Sequence, residues 1–388
     1  MTQYIVTADL LNVRRETPQS LTDPNVVGTV NKGHAFDGTP VPANQLTNPD
    51  LGPFIKDNIS GNVVSGAFVM AGDENGSLIP TSQSDIDTFN NNAKFPPTLI
   101  NWNSRVVKLP AEIRNTLGSG IRVAVLDTGI ERTHIDLAQN LVDSVDFTDA
   151  EAGDSDQVGH GTEMASLIAA SAYFAGIKGI TGVAPQAKIY SAKVMYDEGG
   201  PGDNDPKIFL SVENGLSHVL QKNVDIVNMS IGRPPAFPFP DVKKGITNMI
   251  SQNTTTVFFA ATKEISQINS ASDLLDIFPA NIENVIPVCT LTKELVNEYW
   301  DQLPIPLIII PVFKPWACDI QVNQYYSQNS GSSISTALMA GITALILSHN
   351  SSVIRTKQGI IDELKKYTSN IDEAFSNIGN EIHLILKS

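Results

Sequence analysis

Cysteine is scarce in this chain of 388 residues, with only Cys289 and Cys318 present. Two cysteines cannot supply a disulfide framework, and they read as reduced, buried thiols. Basic residues are also few, 26 Lys and Arg against 41 Asp and Glu, for a net charge of −15. Such a surface repels a phosphate backbone instead of releasing its counterions, which argues against nucleic acid and anionic membrane as partners. It suits calcium, although acidic composition more often serves plain solubility. Long apolar runs are missing too. The first residues, Met1 to Val13, have no basic stretch, and Asp9 interrupts their one hydrophobic segment, so no secretory signal is legible. The run ITALILSH, Ile342 to His349, is too short to span a bilayer and reads as part of a core helix. These features favour a cytoplasmic location, or a secreted one if a leader has been trimmed.

What is present is 41% apolar residues, enough for one large α/β domain and a smaller one. From Tyr4 to Met70, short β-rich runs (YIVTADLLNVR, VVGTV, NVVSGAFVM) alternate with Pro, Gly, Asn and Asp clusters, predicting a small all-β barrel over residues 1–72. The segments TADLLNVRRETP, DPNVVGTVNKG and AFVMAG resemble the bacterial Src-homology-3-like family, without its usual aromatic near the last strand. That resemblance implies a module that contacts the adjoining domain or a cell-wall or peptide ligand; a packing module without ligand is the alternative. Residues 73–99 read as an exposed linker. Over residues 100–388, continuous apolar runs (IRVAVLD, AKIYSAKVM, VDIVNMSIG, TTVFFAAT, NVIPVCTL) alternate with helical patterns, predicting an α/β domain whose mostly parallel sheet carries helices on both faces.

Three positions in that domain carry chemistry. Asp127 ends the buried run VAVL, at the carboxyl edge where open α/β sheets place their sites, though an Asp there is commonly a turn former or helix cap. His160 lies between Gly159 and Gly161, with Thr162 placed to begin an apolar helix. His134 reads as structural. Ser333 lies in a Gly-Ser turn leading into an apolar helix, where its hydroxyl and N–H project from the amino end; Ser330 and Ser332 are the neighbouring alternatives.

In the order Asp, His, Ser, with the text VAVLDTGI, GHGTEMASLIA and SGSSISTALMAG, and with GVAPQAKI and DIVNMSIG between, the chain resembles the subtilase superfamily from Ile100 to Ser388. The resemblance implies a serine endopeptidase acting on protein or peptide substrates through an acyl-enzyme. Ser333 would be the nucleophile, His160 the general base and Asp127 its orienting partner. It further implies substrate pairing along Ser230, Ile231 and Gly232, with Gly199 and Gly200 opposite. No cofactor is required, and structural calcium is compatible, Asp154 with Asp156 being a suggestion for it. Leu78, Ile79 and Pro80 resemble the stretch that lies across the active site of intracellular subtilisins as an inhibitory prosegment. The chain departs from the pattern at Lys263, where the family has the oxyanion-hole Asn beside the Ser333 backbone N–H. Lys263 donates in its place, Asn269 supplies the donor instead, or Lys263 faces solvent. Smaller departures are Thr262, Ser332, Ala337 and Glu163. The alternative to catalysis is a pseudopeptidase that binds extended peptides without cleaving them; a further one makes the amino-terminal barrel the main, ligand-binding part.

Overall fold

The computed structural model describes residues 100–132, 134, 136–148, 153–171, 180–195, 206–232, 240–262, 277–304, 306–311, 313–321, 324–376 and 381–387, and the backbone of six strands between residues 2 and 65. Those six are β1 (Thr2–Ile5), β2 (Leu10–Arg14), β3 (Val26–Asn31), β4 (Ala35–Pro40), β5 (Phe54–Asp57) and β6 (Val63–Ser65). They form one antiparallel sheet in the order β1-β4-β5-β6-β2-β3.

The strands that follow are β7 (Ile100–Asn101), β8 (Arg122–Asp127), β9 (Leu141–Asp146), β10 (Ile180–Thr181), β11 (Lys188–Lys193) and β12 (Ile226–Met229). After them come β13 (Val257–Ala261), β14 (Val285–Leu291), β15 (Leu307–Pro311), β16 (Trp316–Gln321), β17 (Gln324–Gln328) and β18 (Ile385–Lys387). Eight of these make the main sheet, ordered β18-β15-β14-β13-β12-β8-β11-β9. Every neighbouring pair is parallel except β15 with β18.

Helices α1 (Ala111–Arg114), α2 (His160–Ala169), α3 (Pro206–Gln221), α4 (Pro240–Gln252), α5 (Lys293–Tyr299), α6 (Ser332–His349) and α7 (Lys357–Leu364) surround this sheet. Strand β8 shows why both faces are covered. Val123 and Val125 point into the cluster formed with α2 and α6, whereas Ala124 and Leu126 point into a second cluster with α3 and α4. A strand with side chains buried on both sides must read as an unbroken apolar run, which is the pattern of RVAVLD. Helix α6 extends well beyond the ITALILSH run. It is long and apolar enough to cross a membrane, but 83% of it is buried inside the protein, as a central core helix requires. Cys289 and Cys318 are both buried thiols.

Candidate active site

Asp127, Met229 and Ala261 close β8, β12 and β13 at the same, carboxyl edge of the sheet. Asp127 is buried to 1% exposure, and its Oδ1 accepts from Thr128 N at 2.8 Å. The same oxygen lies 2.7 Å from His160 Nδ1. An ionised carboxylate can only accept, so Nδ1 donates and the neutral ring carries its lone pair on Nε2.

The placement of His160 depends on its local chain. Helix α2 begins at His160, two residues before the expected Thr162, because Asp156 does the capping from outside the helix. Its Oδ2 accepts from Thr162 N at 2.9 Å and Thr162 Oγ1 at 2.6 Å. Oδ1 accepts from Gly159 N at 2.9 Å, Val158 N at 3.0 Å and Thr128 Oγ1 at 2.9 Å. Gly159 takes φ +103°, a left-handed conformation that side chains disfavour. At Gly161 a Cβ would stand 2.1 Å from Gly129 O, so only glycine lets α2 pass this close to the turn after β8. Beneath this loop Lys193, fully buried and in register with Asp127, donates from Nζ to Gly153 O at 3.0 Å and Ser155 O at 2.7 Å.

Ser333 stands in the first turn of α6, where backbone N–H groups have no helical acceptor and the helix dipole favours negative charge. Its hydroxyl donates to Ser230 O at 3.1 Å, while Ser230 Oγ donates to Ser333 O at 3.0 Å and accepts from Asn228 Nδ2 at 2.9 Å. This reciprocal pair locks the helix start to the end of β12. Asn329 Nδ2 donates to both Glu163 oxygens, at 3.1 and 3.2 Å, joining the segment before Ser333 to α2 one turn from His160.

The Asp127–His160 pair is therefore brought together directly, and Ser333 is fixed to the same edge through Ser230. Ser230 and Ile231 are buried, and the Ser230 hydroxyl and carbonyl both bond to Ser333. Asp154 pairs with Arg132, and both Asp156 oxygens accept from protein donors. His134 is buried. Lys263, Asn269, Gly199, Gly200 and the Leu78–Pro80 stretch lie outside the described residues. The roles of Thr128, Asp156 and Lys193 were not legible; the only trace was an Asp four residues before His160.

The subtilase family model matches residues 118–302, a span that includes Asp127 and His160 and ends before Ser333. The major intracellular serine protease of Bacillus subtilis (strain 168) is 29% identical over 286 residues, covering 71% of this chain and 85% of that protein. Over these residues the chain is similar to the subtilase family. It is a subtilisin-like serine endopeptidase. An intracellular serine protease of Paenibacillus polymyxa is 36% identical over 151 residues, 37% of this chain and 44% of the relative. Among solved structures, a cold-adapted subtilisin-like serine proteinase superimposes with TM-score 0.50 at 21% identity, over 69% of this chain and 89% of that one, a likeness of fold.

Proposed function

We propose that this subtilase hydrolyses peptide bonds with Ser333 as nucleophile, His160 as general base and acid, and Asp127 as the group that orients the imidazole. The observation that carries the reading is the 2.7 Å contact of His160 Nδ1 with the buried Asp127 carboxylate. With Nδ1 committed, Nε2 faces the task of taking the Ser333 proton as Oγ leaves the Ser230 carbonyl and attacks the scissile carbon. The developing oxyanion is stabilised by Ser333 N–H at the amino end of α6, with Lys263 as second donor in the family's Asn position. His160 then protonates the leaving amine, and water releases the acyl group by the same steps in reverse.

The substrate is an extended protein or peptide chain that pairs along Ser230–Gly232, with Gly199 and Gly200 opposite, a binding mode that reads backbone more than side chain. Relatives named intracellular proteases support a cytoplasmic site of action. The six antiparallel strands of residues 2–65 support an accessory all-β unit of the bacterial Src-homology-3-like kind, contacting the peptidase or a cell-wall or peptide ligand. The Leu78–Pro80 stretch in the linker acts as an inhibitory segment. The chemistry needs no metal; structural calcium is compatible with it.

Fluorophosphonate labelling read by mass spectrometry tests the reading. One adduct on the native chain, lost in Ser333→Ala, is expected, and Asp127→Asn is expected to slow turnover by about 10⁴ through the wrong imidazole tautomer. An adduct that survives Ser333→Ala, or no adduct at all, would assign the nucleophile elsewhere or make the chain a peptide binder.

A further inference from the structure

Behind helix α2 lies a second cluster that hydrolysis does not use. His134, Asp136 and Cys318 each offer one ligand atom, and these atoms all lie within 4.8 Å of one another. The three residues are 2%, 2% and 0% exposed. Two come from the loop after β8 and the third from β16. We propose that they form a binding site for a divalent transition-metal ion of the zinc class.

The donor set is the first reason. Imidazole, carboxylate and thiolate together suit zinc or cobalt, whereas calcium and magnesium take oxygen alone. The support around the ligands is the second. Asp136 Oδ2 accepts from Ile180 N and from Tyr326 OH, both at 2.9 Å, which fixes the carboxylate. The Tyr326 ring packs edge-on against His134 at 5.5 Å between centroids. Cys318 N donates to Ser166 Oγ at 2.9 Å, tying the sulfur's strand to α2, the helix that carries His160. Such outer hydrogen bonds commonly orient metal ligands.

A zinc tetrahedron with bonds of about 2.0 Å to N and O and about 2.3 Å to S places its ligand atoms about 3.3–3.6 Å apart. The observed spread closes to that with inward movements of about 1.5 Å or less. Three protein ligands leave a fourth position for water. On binding, the Cys318 thiol gives its proton to solvent and becomes a thiolate ligand, one proton per ion bound. Asp136 N–H donates to His134 Nδ1 at 3.2 Å, which holds the imidazole beside the carboxylate.

The test uses the full chain carrying Ser333→Ala, to prevent self-digestion, stripped with chelator and titrated with Co²⁺. The expected result is a one-to-one thiolate-to-cobalt charge-transfer band that Zn²⁺ displaces, with a Tm that rises with Zn²⁺. Cys318→Ser abolishes the band, Cys289→Ser leaves it intact, and Tyr326→Phe weakens affinity by about 10- to 100-fold. Circular dichroism checks that each variant is folded. Absence of a thiolate band in the parent chain overturns the proposal, as does a band that survives Cys318→Ser or vanishes with Cys289→Ser.

Discussion

Asp156 touches no substrate in the chemistry proposed for Ser333, yet its two oxygens take five hydrogen bonds that shape the turn before His160. Each buried donor left without an acceptor costs about 1–3 kcal/mol, so Asp156→Ala is expected to remove at least about 3 kcal/mol of stability. Urea unfolding should show a lower midpoint with unchanged slope, together with slower fluorophosphonate labelling because His160 is no longer held. A stability within about 0.5 kcal/mol of the parent would mean that the loop repacks around other acceptors. This residue also marks where sequence reading stopped. Asp127, His160 and Ser333 each sit in a contiguous motif whose glycines and apolar flanks state the local geometry. Asp156 draws its meaning from donors at Thr128 and Thr162, and Ser230 from Ser333, a partner 103 positions away. No local text encodes such pairings, and a lone Asp beside Asp154 reads equally well as a calcium ligand.

Elements were legible where burial writes a period into the sequence. RVAVLD gave β8, and AKIYSAKVM gave β11. Strand β15 was hidden, since Pro304, Pro306 and Pro311 surround LIII and prolines usually argue against a strand. They are tolerated at its ends, next to the last strand of the sheet. At the end of α7 the chain tightens into a 3₁₀ turn over Lys365–Tyr367, where Tyr367 OH donates to Glu363 Oε1 at 3.1 Å. Partial burial, and then this bond to a carboxylate, push the Tyr367 hydroxyl up to about 12 from its ordinary 10. The folded chain thus keeps a proton that the unfolded chain releases first. Its stabilisation is complete below pH 10 and is lost as pH rises from 10 towards 12. Comparing denaturation of the parent and Tyr367→Phe across that range, the stability gap should be widest on the neutral side and should close with rising pH. A gap that stays constant would show that the corner does not sense this hydroxyl.

At the scale of the whole molecule, the strand pairing divides the chain. The sheet of residues 2–65 and the eight-stranded sheet share no strand. The described part of the α/β unit opens at Ile100, which pairs with Ile180. Its next residues are core: Ile100, Trp102 and Val106 are 5%, 2% and 3% exposed, and Trp102 Nε1 donates to Trp316 O at 2.9 Å. A chain beginning at residue 96 keeps all of these contacts. It is therefore expected to retain its near-ultraviolet circular dichroism and to take up fluorophosphonate at least as fast as the full chain, faster if Leu78–Pro80 covers the site. A chain beginning at residue 107 loses three core side chains at once. Removal of a buried tryptophan alone costs about 3–5 kcal/mol, a large share of the about 5–15 kcal/mol that holds a domain folded. That shorter chain should be unfolded or unlabelled. Equal stability of the two truncations would place the Trp102 segment outside the folding unit, and loss of structure in the longer one would make the first 95 residues part of it.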